Sequence, residues 1–504
     1  MLTSDGCFIA REFAELLKGE KQMRSSCKKN IHASSHRKLN WNSINWKRVE
    51  KKVKELQIRI AKAVREGSNR KAQSLQWLLT HSFYAKLLAV KRVVTNKGKR
   101  TPGIDGEIWK TAKQKIEATA RLRRRNYRPQ PLRRVYIRKK NGKPRPLSIP
   151  TMADRAMQAL YLLALTPVAE TTGDPNSYGF REYRCCADAI EQCFKCLAGR
   201  HCARWVLEAD IRSCFDRISH GWLLNNIPMD KKILQSWLKA GYVDKGFTYP
   251  TKTGTPQGGI ASPTLANMTL DGLELTIKSA VPKGFKVNVV RYADDLVVTG
   301  TSKQLLEDKV KVVISDFLKE RGLELSGEKT KITRIDDGFS FLGQHLQKHG
   351  NKLIITPSKG AVKALIAKTR KTIKDHHGRS AWGLINQLNP VIRGWANYHR
   401  HVVAKKTFAY VDSRIFRQIW NWARRRHQSK NRRWIKRRYF RSIDNRNWSF
   451  FATRTSRSGQ SDLVDLYHAD DTKIVRHVKV RNMANPYNID WQKYFTARRT
   501  VRYA

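Results

Sequence analysis

The spacing of apolar residues divides the chain into helical and strand-like regions. Near the N-terminus, apolar residues recur every three or four positions at Val53, Leu56, Ile60 and Val64, which predicts an amphipathic helix. Residues 150–345 mix apolar strands with helices, an α+β pattern. From residue 357 the periodicity is helical through three successive segments, which predicts a small helical bundle.

Two pairs of extended runs are separated by short polar breaks, which predicts two β-hairpins. The first surrounds Asn141-Gly142, a dipeptide that favours a type I′ turn. The second is VNVVRYADDLVVTG, where Asp294 and Asp295 interrupt an apolar sequence. Side chains of adjacent residues point to opposite faces of a flat strand, but at a turn both carboxylates can approach one point. Taken alone, an Asp-Asp pair in a turn is more often an ordinary surface turn.

A third acid changes this interpretation. Asp210 ends the sequence WVLEAD, a predicted strand that runs into a helix. A strand end and a neighbouring hairpin turn in one sheet would bring Asp210, Asp294 and Asp295 within a few ångströms. Three carboxylates at that separation repel one another unless cations lie between them, and Mg²⁺ is the preferred partner of such oxygen ligands. Two such ions roughly 4 Å apart form the clamp that polymerases use in phosphoryl transfer.

The charge of the chain points to a polyanionic partner. There are 100 Lys and Arg residues against 41 Asp and Glu, a formal net charge of +59. Such an excess favours nucleic acid over other partners. The cations cluster, with twelve in residues 121–146 and ten in residues 423–442, where Trp434, Tyr439 and Phe440 lie among them. Basic residues with interleaved aromatics suit phosphate contacts and base stacking, so Arg424, Arg425 and Arg426 are candidate RNA contacts.

Several classes of protein are disfavoured by the same sequence. No apolar run reaches the roughly 20 residues that span a bilayer, so we expect no membrane partner. The N-terminus lacks a secretory signal, although basic residues 21–40 leave an organelle transit peptide open. Cys193 and Cys196 have zinc-like spacing, but a second ligand pair is missing, which favours reduced thiols packed in a helix.

A series of motifs then identifies a family. The series comprises TPGIDG, NGKPRPLSIP, SYGFREYRCCADAI, EADIRSCFDRISH, GTPQGGIASPTLAN, RYADDLVV, GLELSGEKTKI, FSFLGQHL and LNPVIRGWANYHR. From about residue 41 to about residue 500, the chain resembles the reverse transcriptases of bacterial and organellar group II introns, the intron maturases. A single YADD sequence would be weak evidence, whereas the ordered set is specific.

The resemblance implies an α+β right-hand polymerase with fingers, a palm built on an antiparallel sheet, an α-helical thumb and a small C-terminal DNA-binding domain. The expected division follows the family. It comprises a basic tail (1–40), an N-terminal extension with TPGIDG (41–120), fingers and palm (121–350), the thumb or maturase domain X (351–445) and the DNA-binding domain (446–504).

The resemblance also assigns residues to roles. Asp210, Asp294 and Asp295 match the catalytic metal ligands, and Phe215 matches the aromatic gate that excludes a 2′-hydroxyl. The expected nucleotide contacts are Lys143, Arg145, Gln257, Gly258 and, on the primer side, Lys329. In the thumb, Arg393, Trp395, Tyr398 and His399 are candidate RNA contacts. Trp395 and Tyr398 fit the thumb core equally well.

The implied function is an RNA-directed DNA polymerase that uses two Mg²⁺ ions and dNTPs. It would bind its group II intron RNA, assist splicing, and copy the RNA into cDNA at target DNA. We expect a ribonucleoprotein of the bacterial cytoplasm, or of a plastid or mitochondrion. Two alternatives are an RNA-binding splicing cofactor with an unused polymerase and a related enzyme recruited for defence or repair.

The chain departs from the family pattern in two respects. Many relatives continue into an HNH endonuclease, which this sequence does not show, so we expect cDNA synthesis to need another source of primer. Glu182 and Tyr183 replace small or basic residues, and we expect such changes to alter template handling.

Overall fold

The computed structural model describes residues 40–138, 142, 144–444, 446–455 and 461–503. The expected basic tail therefore lies outside the described residues, apart from Asn40. Lys143 and Asn141 also lie outside them, so the predicted type I′ turn and the predicted nucleotide contact of Lys143 stay predictions.

Helices dominate the N-terminal part of the described chain, and strands and helices alternate in the remainder. The helices are α1 (Trp46–Arg65), α2 (Asn69–His81), α3 (Phe83–Thr95), α4 (Ala112–Arg121), α5 (Met152–Thr172), α6 (Cys186–Leu197), α7 (Cys214–Arg217), α8 (His220–Asn226), α9 (Lys231–Leu238), α10 (Ser262–Leu270), α11 (Leu273–Ala280), α12 (Lys311–Lys319), α13 (Lys359–Asp375), α14 (Ala381–His399), α15 (Lys405–Arg426), α16 (Arg432–Tyr439) and α17 (Gln492–Tyr503). The strands are β1 (Leu132–Arg138), β2 (Pro144–Ile149), β3 (Trp205–Asp210), β4 (Tyr242–Asp244), β5 (Phe247–Tyr249), β6 (Asn288–Tyr292), β7 (Asp295–Gly300), β8 (Lys331–Arg334), β9 (Phe339–Phe341), β10 (Gln344–His349), β11 (Lys352–Pro357), β12 (Phe440–Ile443), β13 (Arg446–Thr455) and β14 (Ser461–Asp465).

The N-terminal helices pack around α5, which is buried on most of its surface. The amphipathic helix predicted at the N-terminus is confirmed as α1, whose Val53 and Ile60 face this core. The apolar run of α5 belongs to a core helix, because α1, α2 and α3 cover it from several sides. Among the residues that the structure describes, no helix has the length and apolar character needed to cross a membrane.

One antiparallel sheet separates two hydrophobic cores. Its strand order is β6-β7-β3-β8. Along β3, Leu207 faces the core that contains α5, and Val206 faces a second core that contains α13, α14 and α15. On β7, Val298 faces the core that contains α5, and Val297 faces the second core. Because successive side chains point to opposite faces, a sheet buried on both faces needs continuous apolar runs, which these strands have.

Both predicted hairpins are present. β1 pairs with β2 from Arg133↔Ile149 to Arg138↔Pro144, and β6 pairs with β7 up to Tyr292↔Asp295. β1 also runs parallel to β4, which gives a second sheet of order β2-β1-β4-β5. The helical bundle predicted after residue 357 is confirmed as α13, α14 and α15.

Three of the expected domain boundaries cut through paired or helical elements. Residue 120 lies inside α4, and residues 350 and 351 form the turn between β10 and β11. The boundary between residues 445 and 446 separates β12 from β13, two paired strands whose Phe440 and Phe450 pack into the second core. Phe450, Leu466, Val480 and Phe495 therefore share a core with the helices before them, and the expected division into domains stays a prediction.

Cys193 and Cys196 lie on α6 with buried side chains, and both are free thiols. Burial raises the pKa of the Cys196 thiol to about 11, which keeps it protonated near neutral pH. The expectation of reduced thiols packed in a helix is confirmed.

A buried ion pair between Arg181 and Glu170 of α5 allows the stability of the interior to be tested. Arg181 and Glu170 side chains are only 6% and 4% exposed and lie 2.9 Å apart. We expect Glu170→Gln to lower the free energy of unfolding by about 3–5 kcal/mol, because it leaves a buried guanidinium without its counter-charge. Glu55→Gln, which breaks the exposed pair with Lys52, should cost less than about 1 kcal/mol. Equal losses in urea denaturation would contradict this expectation.

Candidate active site

The sheet brings the three predicted acids to one end. Asp210 is the last residue of β3 and pairs directly with Asp295, the first residue of β7. Asp294 occupies the two-residue turn between β6 and β7 with Ala293, whose φ is 57°. The positive φ of Ala293 makes the turn tight, so Asp294 and Asp295 are held beside Asp210.

The electrostatics of this cluster are unfavourable to three negative charges. Burial raises the pKa of Asp294, and the nearby Asp210 carboxylate raises it further. The Asp295 side chain reaches solvent. Even so, partial burial of its carboxylate, together with the negative charges of Asp294 and Asp210, raises the pKa of Asp295 to about 6. An oxygen-only cluster that resists ionisation in this way is suited to bind divalent cations.

Two cationic side chains approach the acids from different elements. Lys329 Nζ donates to Asp210 Oδ2 at 2.9 Å, and this contact raises the pKa of Lys329. The turn that carries Lys329 is anchored on the same strand, because Ser326 N donates to the Asp210 carbonyl at 2.7 Å. Arg145 lies at the start of β2, and its charge lowers the pKa of Asp294. Both cations therefore lie near the acids, and their expected contacts with nucleotide and primer stay predictions.

The loop that contains Gln257 and Gly258 is docked against α7. Thr255 N donates to the Phe215 carbonyl at 2.6 Å. A Cβ on Gly254, whose φ is +81°, would lie 2.5 Å from the Asp216 carbonyl oxygen. Glycine at position 254 is thus required for the close approach of this loop to α7.

Gln257 links two elements, β2 and α7, through its side-chain amide. Arg145 Nε donates to Gln257 Oε1 at 2.8 Å, and Gln257 Nε2 donates to both carboxylate oxygens of Asp216 at 2.9 and 2.8 Å. Its backbone carbonyl accepts from Ser148 N at 2.7 Å. No sequence signal pointed to Asp216 beyond its position beside Phe215, and its role as an anchor appears only in the fold.

Phe215 has an aromatic neighbour that the sequence did not assign to the site. The Phe215 ring is half-buried, and its centroid lies 6.3 Å from that of Phe180 in an edge-to-face arrangement. Phe180 is 57% exposed with a φ of 58°, an unusual backbone conformation for an aromatic residue. The motif SYGF contained the signal, because a glycine between two aromatic residues indicates a close backbone approach.

A groove of about 360 Å³ opens beside Gln257 and is bounded by both strands of the first hairpin. Its wall includes the Arg134 guanidinium, stacked 3.7 Å from the centre of the Tyr242 ring. Tyr136, which also lines the groove, is 54% exposed. Aromatic and basic side chains in one groove are typical of surfaces that hold single-stranded nucleic acid.

The candidate RNA contacts in the thumb region are not equivalent. Arg393 is exposed, and its guanidinium lies 4.8 Å from the Tyr467 ring centre. Tyr398 is exposed, but its hydroxyl donates to the Leu342 carbonyl. Trp395 packs against Phe408 at 5.7 Å between ring centroids, which favours a role in the core.

The position of His399 contradicts the prediction that this residue contacts RNA. Its side chain is 1% exposed and hydrogen-bonded to Gln344 Oε1 at 3.0 Å, so the ring has no surface to offer RNA. Arg424, Arg425 and Arg426 are all exposed at the end of α15. Arg426 also donates to the Arg379 carbonyl at 2.6 Å, so that Arg424 and Arg425 are the freer of the candidates in this patch.

Three family models match the chain. Residues 137–346 match "Reverse transcriptase (RNA-dependent DNA polymerase)", and residues 41–122 match the "N-terminal domain of reverse transcriptase". Residues 362–440 match the "Group II intron, maturase-specific domain".

Individual relatives agree with these models. The chain is 31% identical to protein YkfC of Escherichia coli over 341 residues, covering 58% of this chain and 88% of YkfC. It is 31% identical over 346 residues to the group II intron-encoded protein LtrA of Lactococcus lactis, which covers 54% of this chain and 56% of LtrA. The chain thus spans only about half the length of LtrA. A telomerase structure from Candida albicans aligns with a TM-score of 0.36 at 12% identity, covering 62% of this chain and 65% of that chain, which is too low to carry an argument. The family models and relatives together show that this chain belongs to the group II intron-encoded reverse transcriptases.

Proposed function

We propose that this protein copies group II intron RNA into DNA by nucleotidyl transfer at Asp210, Asp294 and Asp295, with two Mg²⁺ ions. The observation that carries the proposal is the meeting of these three carboxylates at one end of the sheet, opposite Arg145 and Gln257. A splicing cofactor without polymerase activity would have no use for such a cluster, whose mutual repulsion opposes ionisation.

The donor set fits the proposed ions. The three side chains offer only carboxylate oxygens, the ligands that Mg²⁺ prefers, and the raised pKa values of Asp294 and Asp295 indicate a need for positive charge. When bound, two such ions activate the attacking hydroxyl and stabilise the leaving pyrophosphate. The chain itself supplies the fixed geometry, since β3 and β7 hold Asp210 and Asp295 in register.

Arg145 is the proposed contact for the incoming triphosphate. A guanidinium binds phosphate oxygens through paired hydrogen bonds, and Gln257 orients this one by accepting from its Nε. Asp216 in turn holds the Gln257 amide. The Phe215 ring, five residues after Asp210, is placed to meet a 2′-hydroxyl on the nucleotide sugar, which favours deoxynucleotides. Lys329 beside Asp210 is then on the primer side.

The right-hand layout follows from the same assignments. The first hairpin, β1–β2, and its sheet serve as fingers, because they carry Arg145. The antiparallel sheet of β3, β6, β7 and β8 is the palm, and α13–α15 form the thumb. The groove beside Gln257 then lies where an unpaired template strand approaches the palm, and its stacked Arg134–Tyr242 pair offers that strand a surface.

A second role, assistance in splicing, is favoured by the maturase-specific match over residues 362–440. Exposed Arg393 and the exposed arginines at 424 and 425 give this region a surface for intron RNA. The two roles are compatible, because the arginines lie outside the acid cluster. Target DNA is the proposed partner of the basic C-terminal residues.

The first test is primer extension on an RNA template with Mg²⁺ and dNTPs. We expect Asp294→Asn combined with Asp295→Asn to reduce extension by about 10³-fold or more, because charges that act directly on the transition state are lost. The matched control is Asp336→Asn with Asp337→Asn, the Asp-Asp pair in the turn after β8. Extension by the double mutant at the wild-type rate would refute the polymerase proposal.

The second test concerns the choice of sugar. Phe215→Val should lower the preference for dNTPs over rNTPs by about 10- to 100-fold, since a missing steric contact is worth about that much in discrimination. Phe194→Val, a half-buried phenylalanine packed on the second core, should leave the preference unchanged. Equal preference ratios in the wild type and Phe215→Val would remove the proposed gate.

The third test uses the raised pKa of Asp295 in metal-free buffer. Its folded pKa of about 6 exceeds the ordinary value, so the ionised carboxylate destabilises the fold above about pH 6. Asp295→Asn should therefore raise Tm at pH 7.5. The matching gain in the free energy of unfolding should be no more than about 1 kcal/mol, because solvent screens the exposed carboxylate. The gain should fade as pH drops through 6 and vanish near pH 4. Asp337→Asn, in an exposed turn, is the control. A pH-independent gain would contradict the sign of this shift.

A further inference from the structure

Near the end of the described residues, the chain packs against α6 and the segment that precedes it. We define residues 475–498 as the C-terminal strap. The strap begins where Val475 N donates to the Arg400 carbonyl at 2.9 Å. Its buried apolar side chains are those of Val480, Ala484, Tyr487 and Phe495. Burial of this kind shows that the strap is part of the folded body of the enzyme and is seated on specific residues.

Both ends of the strap are held by Asp188, in the first turn of α6. The Asp188 side chain is fully buried, and its Oδ1 accepts from His477 Nε2, Val480 N and Arg498 Nη2 at 2.9, 2.8 and 2.8 Å. Burial opposes ionisation, but the contacts with His477 and the backbone lower the pKa of Asp188 to about 2. Ligand atoms of Cys185, Asp188 and His477 lie within 4.8 Å of one another, a spacing that could suit a metal ion. Because Asp188 Oδ1 already accepts three hydrogen bonds from strap residues, we assign this cluster to holding the strap in place.

The strap also touches residues 176–180, the segment just before α6. Asn482 Nδ2 donates to Asn176 Oδ1 at 3.1 Å, and Lys479 Nζ donates to the Tyr178 hydroxyl at 3.3 Å. Lys479 and Asn482 are themselves hydrogen-bonded to each other. The two strap residues therefore contact residues 176–180 as a hydrogen-bonded pair.

Residues 176–180 in turn support the hairpin that carries the acids. Arg291 N donates to the Asn176 carbonyl at 3.0 Å, and Tyr178 N donates to the Arg291 carbonyl at 2.9 Å, so the segment covers the free edge of β6. A Cβ on Gly179 would lie 2.4 Å from Ala293 N. A series of direct contacts therefore runs from the strap to the residue that precedes Asp294.

The family departures at Glu182 and Tyr183 belong to the same arrangement. The Tyr183 ring lies 4.8 Å from that of Phe495, and Glu182 is hydrogen-bonded to Tyr487. Both partners are strap residues. Glu182 and Tyr183 therefore help to seat the strap, and their expected effect on template handling stays a prediction.

We infer that Lys479 and Asn482 are positioning residues for the metal-binding acids, acting through Asn176 and Tyr178 on the turn that carries Asp294. The inference rests on the proposed two-metal polymerase function and adds a part of the chain that lies far in sequence from all three acids. Loss of either strap contact would let the edge segment shift and move Asp294 relative to Asp210, while the nucleotide contacts of Arg145 and Gln257 stay in place.

The test compares two asparagines of the strap. Asn482→Ala removes the contact with Asn176, whereas Asn485→Ala removes a hydrogen bond to Thr171 at the end of α5 and leaves residues 176–180 untouched. For Asn482→Ala we expect Mn²⁺ affinity, measured by electron paramagnetic resonance, and kcat each to fall about 10-fold, as for residues that orient metal ligands. KM for dNTP should not change. Amide hydrogen exchange should increase in residues 176–180 and 288–296 of Asn482→Ala alone.

Lys479→Met should lower Mn²⁺ affinity and kcat as Asn482→Ala does. Lys479→Arg should keep both near their wild-type values. If Asn482→Ala and Asn485→Ala lower Tm alike and leave Mn²⁺ affinity and kcat at wild-type values, the strap is structural only and the inference is overturned. A different result, in which wild-type Mn²⁺ binding and extension do not depend on Asp294 at all, would instead refute the proposed function beneath it.

Discussion

Three carboxylates at one end of a sheet repel one another, and the rest of this structure holds them there. Asp210 and Asp295 are in register because β3 and β7 pair along six residues each, and Asp294 follows from the tight turn at Ala293. Burial and mutual repulsion raise the pKa values of Asp294 and Asp295. Pairing with Lys329 relieves part of the charge, and the proposed ions would relieve the remainder.

The support for this cluster comes from both sides of the sheet. Leu207 and Val206, adjacent on β3, face different cores, one built on α5 and the other on the helices after residue 357. A sheet enclosed on both faces is stiff, because side chains on either face pack to interior density. The strap and the segment at the edge of β6 close the remaining side. The acids therefore sit at the rim of a rigid body, where an elongating nucleic acid can reach them.

Periodicity alone predicted much of the fold. The continuous apolar runs on either side of Asp294 and Asp295 predicted a hairpin, and the spacing from Val53 to Val64 predicted α1, because both patterns depend on local geometry. His399 shows the limit of that reasoning. It lies in a motif that suggests RNA contact, but the bundle turns its face inward against Gln344, which no local pattern encodes.

The sequence by itself determined the family, the acids and the basic character of the chain, since motifs, spacing and charge are properties of residue order. Only the tertiary structure decided that Asp216 holds Gln257, that Phe180 stands beside Phe215, and that Lys479 and Asn482 reach Asn176 and Tyr178. These pairs lie tens to hundreds of residues apart. Their contacts depend on how helices and sheets pack, and that packing is a cooperative property of the whole core, which no single segment specifies.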